Sequence, residues 1–590
     1  MAMETGAQQN HRRLLNSSRM GVVVLLALLL GCGPTLKEDA DSPDHSGVER
    51  QTQPAPSKEP AIRFADVSAE SGLDFVNVSG SAAQDYVLES MSAGAAFLDY
   101  DGDGYQDLFV VNGTRLRGSP PGAKNRLFHN ELGTEANGNR TKIFRPVEAD
   151  LGAGDWGMGC AAGDYDNDGD ADLYATYWGP NQLYRNDGDG RFTERAEEAG
   201  VADARWGSSA AFGDLDGDGL LDLYVTNYLE FDLRRPPGGG GKCLYKGIYV
   251  FCGPGYAPRQ ADRLYRNKGD GSFADVSAAT GVSARSLPAL GVVFGDFDED
   301  GDQDIYVAND GEPNLLFRND GDWRLAEIAT RVGAAYSKDG VAQASMGVHG
   351  GDFDNDGDLD LFATNFSEEL NTLYRNEGGG LFRDATIEVG LGGVAWPHLG
   401  WSTAFVDFDK DGWLDLFVAN GHLYPQLDRH FLGFFYAQRN LLYHNQRARF
   451  VEVGEQSGSG WRIEKVSRAA ALSDFDNDGD VDLFIMNLND SPTLLRNDSG
   501  DRNNWLGLEL VGVESNRDAI GTQVRVQAGG LEQVREVHRG YGFQAQHDPR
   551  LLFGLGPHER VDWVEIRWPS GRRQVLKNPP LRRYLKVGEA

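Results

Sequence analysis

One nine-residue motif, Asp-x-Asp-x-Asp-Gly-x-x-Asp, constrains the fold of this chain more than any other feature, because it occurs seven times. The copies begin at Asp99, Asp164, Asp214, Asp296, Asp352, Asp407 and Asp474. Glycine at position 6 permits a sharp turn with a positive φ. The side chains at positions 1, 3, 5 and 9 and the backbone carbonyl at position 7 supply oxygen donors, and water can complete a calcium shell of about six to eight oxygens. The repeat therefore predicts about seven structural Ca²⁺ ions.

The predicted ligands of each loop are four aspartates and the residue whose carbonyl stands at position 7. Loop by loop they are Asp99, Asp101, Asp103, Tyr105 and Asp107; Asp164, Asp166, Asp168, Asp170 and Asp172; Asp214, Asp216, Asp218, Leu220 and Asp222; Asp296, Asp298, Asp300, Asp302 and Asp304; Asp352, Asp354, Asp356, Asp358 and Asp360; Asp407, Asp409, Asp411, Trp413 and Asp415; and Asp474, Asp476, Asp478, Asp480 and Asp482. Without a cation, carboxylates this close repel one another and their pKa values rise.

Two other interpretations of the motif compete with calcium binding in this form. An EF-hand requires a bidentate glutamate at position 12 and a following helix. Position 12 is apolar in every copy, from Val110 to Ile485, and strand-like runs such as LFVV and LYVT follow the loops, so the EF-hand is excluded. The second interpretation is an Asp- and Gly-rich turn that binds no metal. Seven copies without a substituted ligand favour the metal site.

The spacing of the loops predicts a β-propeller. Successive loops begin 65, 50, 82, 56, 55 and 67 residues apart, in the range of one propeller blade with insertions. A small-residue strand such as WGSSAAFGD precedes each loop, and strands resembling N-x-L-Y-R-N and F-x-D-V follow. The first F-x-D-V strand and the last LYRN-like strand each lack a partner, so residues 62–68 are predicted to pair with residues 493–497. Residues 62–500 are thus predicted to form seven blades closed into a ring, which leaves no open sheet edge.

Residues 501–590 are predicted to form a small second all-β domain. The segments QVRVQ, QVREVH and VEIRW alternate apolar and polar residues, and Gly529-Gly530 and Pro569-Ser570-Gly571 provide turns. The sequence leaves open whether this module docks onto the propeller or presents a solvated surface.

The N-terminus predicts export. Residues 1–32 carry a basic flank and an apolar run, Met20 to Leu30, that is too short to span a bilayer. The run ends in Leu-Leu-Gly-Cys, which resembles a bacterial lipobox and implies a diacylglyceryl group on Cys32. Ordinary secretion and an uncleaved anchor are the alternatives. Residues 33–61 are predicted to be a flexible tether. The expected location is the bacterial cell envelope, as an outer-membrane or cell-surface lipoprotein, or outside the cell, with membrane contact only through the lipid.

Charge and cysteines add two constraints. The formal net charge of the 590 residues is −33 and no basic stripe is visible, so nucleic acid is excluded as a partner. Cys243 and Cys252 lie in a Gly/Pro-rich insertion, and in an oxidising compartment they are expected to form a disulfide; two free thiols are the alternative. Cys160 is expected to be a buried, inert thiol.

Several phrases carry a family resemblance. The loops and strand pattern resemble the FG-GAP/VCBS repeats of integrin α-subunit propellers. The phrases ESNRDAIGTQVRVQAGG, QVREVHRGYGFQAQ, LLFGLG and VDWVEIRWPSG resemble the ASPIC/UnbV domain of the cartilage acidic protein family and its bacterial relatives. The resemblance covers residues 62–590 and implies a secreted calcium-binding propeller with a small C-terminal β-domain. It implies no substrate.

No catalytic motif is present, and His349, His398 and His422 are expected to serve in packing or capping. Binding is expected on the face that carries the insertions 112–124, 227–262 and 421–439. Their aromatic residues either contact a ligand or pack the insertions together; they are Tyr228, Tyr245, Tyr249, Phe251, Tyr424, Phe434 and Phe435.

The sequence therefore predicts an exported, lipid-anchored calcium-binding propeller that acts as an adhesion or ligand-binding module, with an unknown protein or glycan ligand. The alternative is an envelope enzyme that acts on polysaccharide or a small metabolite at the propeller channel or the insertion face. A non-enzymatic role is favoured, and the oligomeric state stays open.

Overall fold

The structure is a computed structural model that describes residues 61–116, 123–134, 140–152, 156–188, 190–240, 242–430, 432–500, 502–540 and 542–590. The predicted leader, Cys32 and the tether up to residue 60 lie outside these residues, as does part of the first insertion, residues 117–122. Among the described residues, no helix is long and apolar enough to cross a membrane.

The fold is all-β. The strands of the repeat region are, in chain order, β1 (Phe64–Asp66), β2 (Ala95–Leu98), β3 (Asp107–Val110), β4 (Arg126–Thr134), β5 (Arg140–Val147), β6 (Trp156–Gly163), β7 (Asp172–Trp178), β8 (Gln182–Asn186), β9 (Phe192–Glu194), β10 (Gly207–Gly213), β11 (Asp222–Asn227), β12 (Cys243–Tyr245), β13 (Ile248–Val250), β14 (Arg263–Asn267), β15 (Phe273–Asp275), β16 (Ala289–Gly295), β17 (Asp304–Asn309), β18 (Leu315–Asn319), β19 (Leu325–Glu327), β20 (Val348–Gly351), β21 (Asp360–Ala363), β22 (Thr372–Asn376), β23 (Phe382–Asp384), β24 (Gly400–Val406), β25 (Asp415–Asn420), β26 (Gln438–Arg439), β27 (Leu441–Asn445), β28 (Phe450–Glu452), β29 (Glu464–Lys465), β30 (Ser467–Ser473), β31 (Asp482–Asn487) and β32 (Thr493–Asn497). Two short helices, α1 (Ala196–Ala199) and α2 (Ala329–Val332), follow β9 and β19 in the described part of the chain.

These strands build one unit repeatedly. In the described residues, seven sheets share the same antiparallel order of four strands: β2-β3-β4-β5, β6-β7-β8-β9, β10-β11-β14-β15, β16-β17-β18-β19, β20-β21-β22-β23, β24-β25-β27-β28 and β30-β31-β32-β1. The first two strands of each sheet are almost completely buried and mostly apolar or small, whereas the fourth is half-buried. That gradient is expected when first strands crowd around an axis and fourth strands face solvent.

The chain ends of the repeat region meet in one sheet. Phe64 pairs with Asn497 and Asp66 with Leu495, which confirms the pairing predicted between residues 62–68 and 493–497. The first strands also contact one another in cyclic order, from β2 through β6, β10, β16, β20, β24 and β30 back to β2.

Residues 502–590, called the C-terminal module below, form two further sheets. The strands of the module are β33 (Asn504–Val511), β34 (Gln523–Ala528), β35 (Leu531–Glu536), β36 (Ala545–Gln546), β37 (Leu551–Gly556), β38 (Trp563–Arg567), β39 (Arg573–Leu576) and β40 (Tyr584–Gly588), of which all but β36 belong to these two sheets. One sheet has the order β37-β33-β40 and the other β35-β34-β38-β39, and alternate residues such as Val524, Val526, Val564 and Ile566 fill the core between them.

One segment of the module lies among the first strands of the repeat sheets. Strand β36 adds to the first sheet, parallel to β2, so that Ala545 pairs with Ala95. The carbonyl of Gly542 accepts a hydrogen bond from the backbone N–H of Val292 (3.3 Å), and the ring of Phe543 packs against Trp401 with centroids 4.9 Å apart. Residues 542–547 thus fill the axial position, which is one of the two places where the enzymatic alternative puts a substrate. The module docks, which settles the question that the sequence left open.

The insertions lie on the face opposite to the acidic loops. They connect second to third strands, whereas the acidic loops connect first to second strands, so the antiparallel order places the two groups on opposite faces. The insertion after β11 carries the disulfide between Cys243 and Cys252, as predicted. Phe251 packs against Tyr424 of the insertion after β25, with ring centroids 4.9 Å apart, and both belong to one apolar cluster with Phe543.

Candidate metal centres

All seven acidic loops have the same place in their sheets. Each connects the first strand to the second, and the aspartate at position 9 is the first residue of the second strand. The glycine at position 6 has a positive φ in every loop, for example 85° at Gly104 and 106° at Gly169. The second strand begins directly at the last carboxylate, which confirms that no helix follows the motif.

Backbone N–H groups orient the carboxylates in the same way throughout. In the fifth loop, Gly357 N–H donates to Asp352 Oδ2 (3.1 Å) and Asp358 N–H donates to Asp356 Oδ1 (3.1 Å). The corresponding bonds from positions 6 and 7 occur in the other six loops. They begin at Gly104 and Tyr105, Gly169 and Asp170, Gly219 and Leu220, Gly301 and Asp302, Gly412 and Trp413, and Gly479 and Asp480. The aspartates of one loop are thereby held facing each other.

One oxygen of the carboxylate at position 3 lacks the hydrogen-bond donor that its burial demands. This Oδ1 atom is buried without a hydrogen-bond partner in loops three to seven, at Asp216, Asp298, Asp354, Asp409 and Asp476. The side chain of Asp354 is only 6% exposed. A buried carboxylate oxygen without a donor is costly unless a cation stands beside it. The donors within one loop, such as Asp99, Asp101 and Asp103, lie within 4.8 Å of one another, so one ion can contact them all.

Burial of the carboxylates raises their pKa values. Desolvation, followed by smaller contributions that include repulsion from the neighbouring aspartates, brings the pKa of Asp107 and of Asp304 to about 8 and that of Asp352 to about 7. The same cause raises the pKa of Asp172 and Asp482 well above the ordinary value. The bare loops therefore resist carrying their full negative charge, and a divalent cation is the group that would offset this cost.

An asparagine at the end of every third strand ties each loop to its neighbour. The backbone N–H of Asn376 donates to Asp360 Oδ1 in its own sheet (2.8 Å), and its Nδ2 donates to the carbonyl of Phe297 in the preceding loop (2.8 Å). Asn186, Asn267, Asn319, Asn445 and Asn497 make the same two contacts. Asn130 completes the series, because its Nδ2 donates to the carbonyl of Phe475 in the last loop (2.7 Å).

Position 4 also connects neighbouring loops, which the sequence motif does not indicate because it leaves this position free. Asn355 Nδ2 donates to the carbonyl of Gly412 in the next loop (3.0 Å), and Asn477 Nδ2 donates to that of Gly104 (3.0 Å). In the sixth loop this position is Lys410, whose side chain is buried and forms an ion pair with Asp480 of the seventh loop.

The C-terminal module rests on the acidic loops. Tyr584 Oη donates to Asp474 Oδ2 (2.9 Å), and the Asp164 N–H donates to Asp518 Oδ2 (2.8 Å). The charge of the partly buried Arg535 lowers the pKa of Asp352 against the larger effect of desolvation, and it acts in the same direction on Asp407. The motif residues are therefore in contact with a second domain, which sequence spacing alone does not reveal.

The other predicted site residues are mostly packed. Tyr228, Phe251, Tyr424 and Phe434 are buried and Tyr245 is partly buried, in agreement with the packing alternative, whereas Tyr249 and Phe435 are 71% and 64% exposed. His422 is buried and lies 3.2 Å from Ser367 Oγ, and His398 Nδ1 lies 3.0 Å from the carbonyl of Val394. His349 is buried and its ring stacks on that of His547. Cys160 is buried, and desolvation raises the pKa of its thiol.

Repeated four-stranded sheets with an acidic loop at the same turn define a propeller-like repeat protein. The model of the FG-GAP-like repeat matches residues 99–175, 164–225, 248–307, 296–363 and 352–418, which together cover about half of the chain. The model named ASPIC and UnbV matches residues 512–590. The chain belongs to the FG-GAP-like repeat proteins that carry an ASPIC/UnbV domain.

Curated relatives agree with this assignment. The chain is 26% identical over 310 residues to cartilage acidic protein 1 of Xenopus tropicalis, which is 51% of this chain and 44% of the relative. It is 27% identical over 308 residues to the human protein of the same name, or 50% of this chain and 43% of the relative. The match therefore spans less than half of the relatives' own length.

Solved structures resemble the chain only distantly. The Dos1 propeller is 7% identical, with a TM-score of 0.35, and the alignment covers 75% of this chain and 96% of that one. A lectin of Agrocybe aegerita that recognises non-reducing terminal N-acetylglucosamine is 17% identical, also with a TM-score of 0.35, and the alignment covers 67% of this chain and 90% of that one. At these TM-scores neither structure informs the function.

Proposed function

We propose that the chain is a calcium-stabilised seven-bladed propeller that serves as a ligand-binding or adhesion module at the cell envelope. In this proposal each of the seven repeated sheets is one blade and each acidic loop holds one Ca²⁺. The observation that carries the calcium assignment is the buried Oδ1 atom without a donor at Asp216, Asp298, Asp354, Asp409 and Asp476. Calcium prefers oxygen ligands of this kind.

The proposed role of calcium is structural. When bound, the ion would balance the charge of the loop, while the N–H groups at positions 6 and 7 hold the carboxylates facing it. Because Asn376 and its six counterparts join position 9 of one loop to the preceding loop, order in one loop supports order in the next. The contacts of Tyr584 with Asp474 and of Asp518 with the Asp164 backbone extend that order to the C-terminal module.

The proposed binding surface is the face of the insertions. The disulfide between Cys243 and Cys252 and the buried contact between Phe251 and Tyr424 make this surface firm. On it Tyr249 is 71% exposed and Phe435 64% exposed, the two highest exposed fractions among the large aromatic side chains of the described residues. Exposed aromatic rings on a rigid support suit a protein or a glycan.

Metal analysis tests the calcium proposal. The protein, purified with calcium and passed through a desalting column, should contain about seven Ca²⁺, one for each loop. A chelator should lower its melting temperature by many degrees. D354N should lose one ion and D322N should lose none, because Asp322 is an exposed aspartate outside the loops, with 88% of its side chain accessible. A protein that holds no calcium and melts at the same temperature with and without chelator would refute the assignment.

Binding needs a separate test. The protein and the double variant Y249A/F435A should be compared on a glycan array and in affinity capture from envelope extracts. Binding should be lost in the double variant and kept in V513A/V575A, whose two substituted side chains are exposed outside the insertions, on the C-terminal module. Equal binding by all three proteins would place the ligand elsewhere. Release of hydrolysis or lyase products from a bound glycan would favour the enzymatic alternative.

The anchor is tested on the full-length precursor. With an intact Cys32 the mature protein should fractionate with membranes and carry a diacylglyceryl group by mass spectrometry. C32S should fractionate as an exported but lipid-free protein. A membrane association that is unchanged in C32S would contradict lipidation.

A further inference from the structure

The fourth residue of each third strand separates the seven loops into two groups. It is an arginine in five sheets, namely Arg185, Arg266, Arg318, Arg375 and Arg496. It is a histidine in the first and sixth sheets, His129 and His444. The residue precedes the asparagine that binds position 9. In five sheets its side chain lies within 4.0 Å of an aspartate of its own loop, whereas Arg185 and Arg496 form ion pairs with Asp187 and Asp498 just after the strand.

The arginines place a permanent positive charge beside the acidic loop. Arg375 Nη2 lies 2.8 Å from an oxygen of Asp354, and Arg266 Nη2 lies 2.7 Å from an oxygen of Asp216. Both aspartates occupy position 3. A guanidinium has only donors and stays protonated, so it can share a carboxylate with a cation but cannot become a ligand.

The two histidines place a ring nitrogen at the same position. His129 Nδ1 lies 3.3 Å from Asp101 Oδ2 and 3.1 Å from Asp107 Oδ1. His444 Nε2 lies 3.3 Å from Asp409 Oδ2. Unlike guanidinium, a neutral imidazole has a lone pair and is a common metal ligand.

These separations match a metal site that includes nitrogen. Two neighbouring ligands at about 2.1 Å from a zinc-type ion lie about 3.0–3.4 Å apart, in octahedral to tetrahedral geometry. One donor atom each from Asp101, Asp107 and His129 lies within 4.8 Å of the others, and the same holds for Asp409, Asp411 and His444. In the sixth loop, the Asp409 side chain is only 10% exposed and its Oδ1 is buried without a hydrogen-bond partner.

We propose that the first and sixth loops are mixed nitrogen and oxygen sites for a divalent first-row transition metal of the zinc type, with His129 and His444 as ligands. The inference rests on the proposed function in that it assigns a different ion to two of the loops taken there as calcium sites. Imidazole suits zinc and its neighbours, whereas calcium takes oxygen, so the histidines select the ion. The five loops with arginine stay calcium sites.

Metal competition on the full chain tests this inference, with Zn²⁺ as the probe. The protein is saturated with calcium, incubated with a small excess of Zn²⁺, desalted and analysed for both metals. The wild type should keep two zinc ions, H129R and H444R one each, and the double variant none. Arginine already occupies this position in five repeats, so these variants should fold. R375H is the converse variant and should gain a third zinc ion.

A spectroscopic measurement adds an independent readout. Pulsed EPR of Cu²⁺ bound in the presence of excess calcium should show imidazole nitrogen coupling in the wild type and lose it in the double variant. If the wild type keeps no zinc, or if the double variant keeps as much as the wild type, the histidines only hydrogen-bond to the carboxylates and the inference fails. The calcium content of the same samples reports on the calcium proposal separately, because it can fail while zinc still binds.

Discussion

Replacement of Asn130 by alanine tests whether the first and last repeats hold together as firmly as two repeats that are neighbours in sequence. Asn130 Nδ2 donates to the carbonyls of Phe475 (2.7 Å) and Gln106 (2.9 Å), and the side chain is fully buried. The first of these bonds links the first sheet to the last loop. Asn445 is the matched control, because it is also fully buried and its Nδ2 donates in the same way to the carbonyls of Phe353 (2.8 Å) and Leu414 (2.8 Å), away from the chain ends.

The expected cost follows from the groups left without a partner. Each substitution removes two hydrogen bonds and leaves two buried carbonyls without a donor, and each such carbonyl costs about 1–3 kcal/mol. A cost of about 2–4 kcal/mol is therefore expected for N130A, with allowance for water that reaches one of the carbonyls. N445A should cost the same within about 1 kcal/mol, since the burial and the number of donated bonds match and Oδ1 has no partner in either asparagine.

Urea unfolding in saturating calcium measures both free energies. Equal costs for N130A and N445A mean that the first and last repeats are joined as firmly as the fifth and sixth. If N130A costs much less than N445A, the chain ends separate before the rest unfolds, and the closed ring is refuted. Hydrogen exchange of residues 64–66 and 495–497, which pair in one sheet, reports on the same opening directly.

Three more substitutions have defined outcomes. Desolvation would raise the pKa of Glu589, but hydrogen bonds from Ser570 and three backbone N–H groups outweigh it and hold the pKa at about 2. E589Q should therefore destabilise the C-terminal module at pH 7. The difference in unfolding free energy between E589Q and the wild type should vanish as the pH falls from about 4.5 to 2. Desolvation and the charge of Arg468 lower the pKa of His422 to about 3, so as the pH falls this histidine is protonated in the unfolded chain before it is protonated in the folded one. The unfolding free energy should therefore fall below pH 6.5, by up to about 1.4 kcal/mol per pH unit. It should fall less steeply in H422N. F543A removes a fully buried ring and should cost about 3–5 kcal/mol in thermal or urea unfolding, with a red shift in tryptophan emission from Trp401.

The loops and the strands after them are predictable because their chemistry is local. Nine residues contain the turn, the carboxylates and the start of the next strand, so spacing alone places Asp352, Gly357 and Asp360 correctly. The asparagine at position 376 and its counterparts also recur in the sequence. Yet the acceptor in the neighbouring loop lies 79 or more residues away in every repeat, as Phe297 does from Asn376. A repeated residue can be read from sequence; its partner in another repeat cannot.

The burial of the aromatic residues in the insertions could not be predicted from the sequence. Composition marks Tyr249 and Phe251 as equivalent candidates for a binding surface, although one is 71% exposed and the other 2%. What separates them is the end of β13: Tyr249 lies within the strand, whereas Phe251 follows it and packs against Tyr424 of a different insertion. Burial here depends on contacts between segments that no local pattern connects.

The small residues of the first strands have a second cause that only the structure reveals. Crowding between neighbouring strands explains part of the pattern, but some small residues also face the segment 542–547. A Cβ atom added at Gly291 would lie 2.8 Å from the carbonyl of Gly542, and one added at Gly159 would lie 2.9 Å from the Cα of Gln544. Larger side chains at either position would meet backbone, which cannot move aside cheaply. The small residues of the first strands thus allow both the close packing of the repeat sheets and the docking of the C-terminal module. The two domains therefore pack around a shared set of backbone contacts.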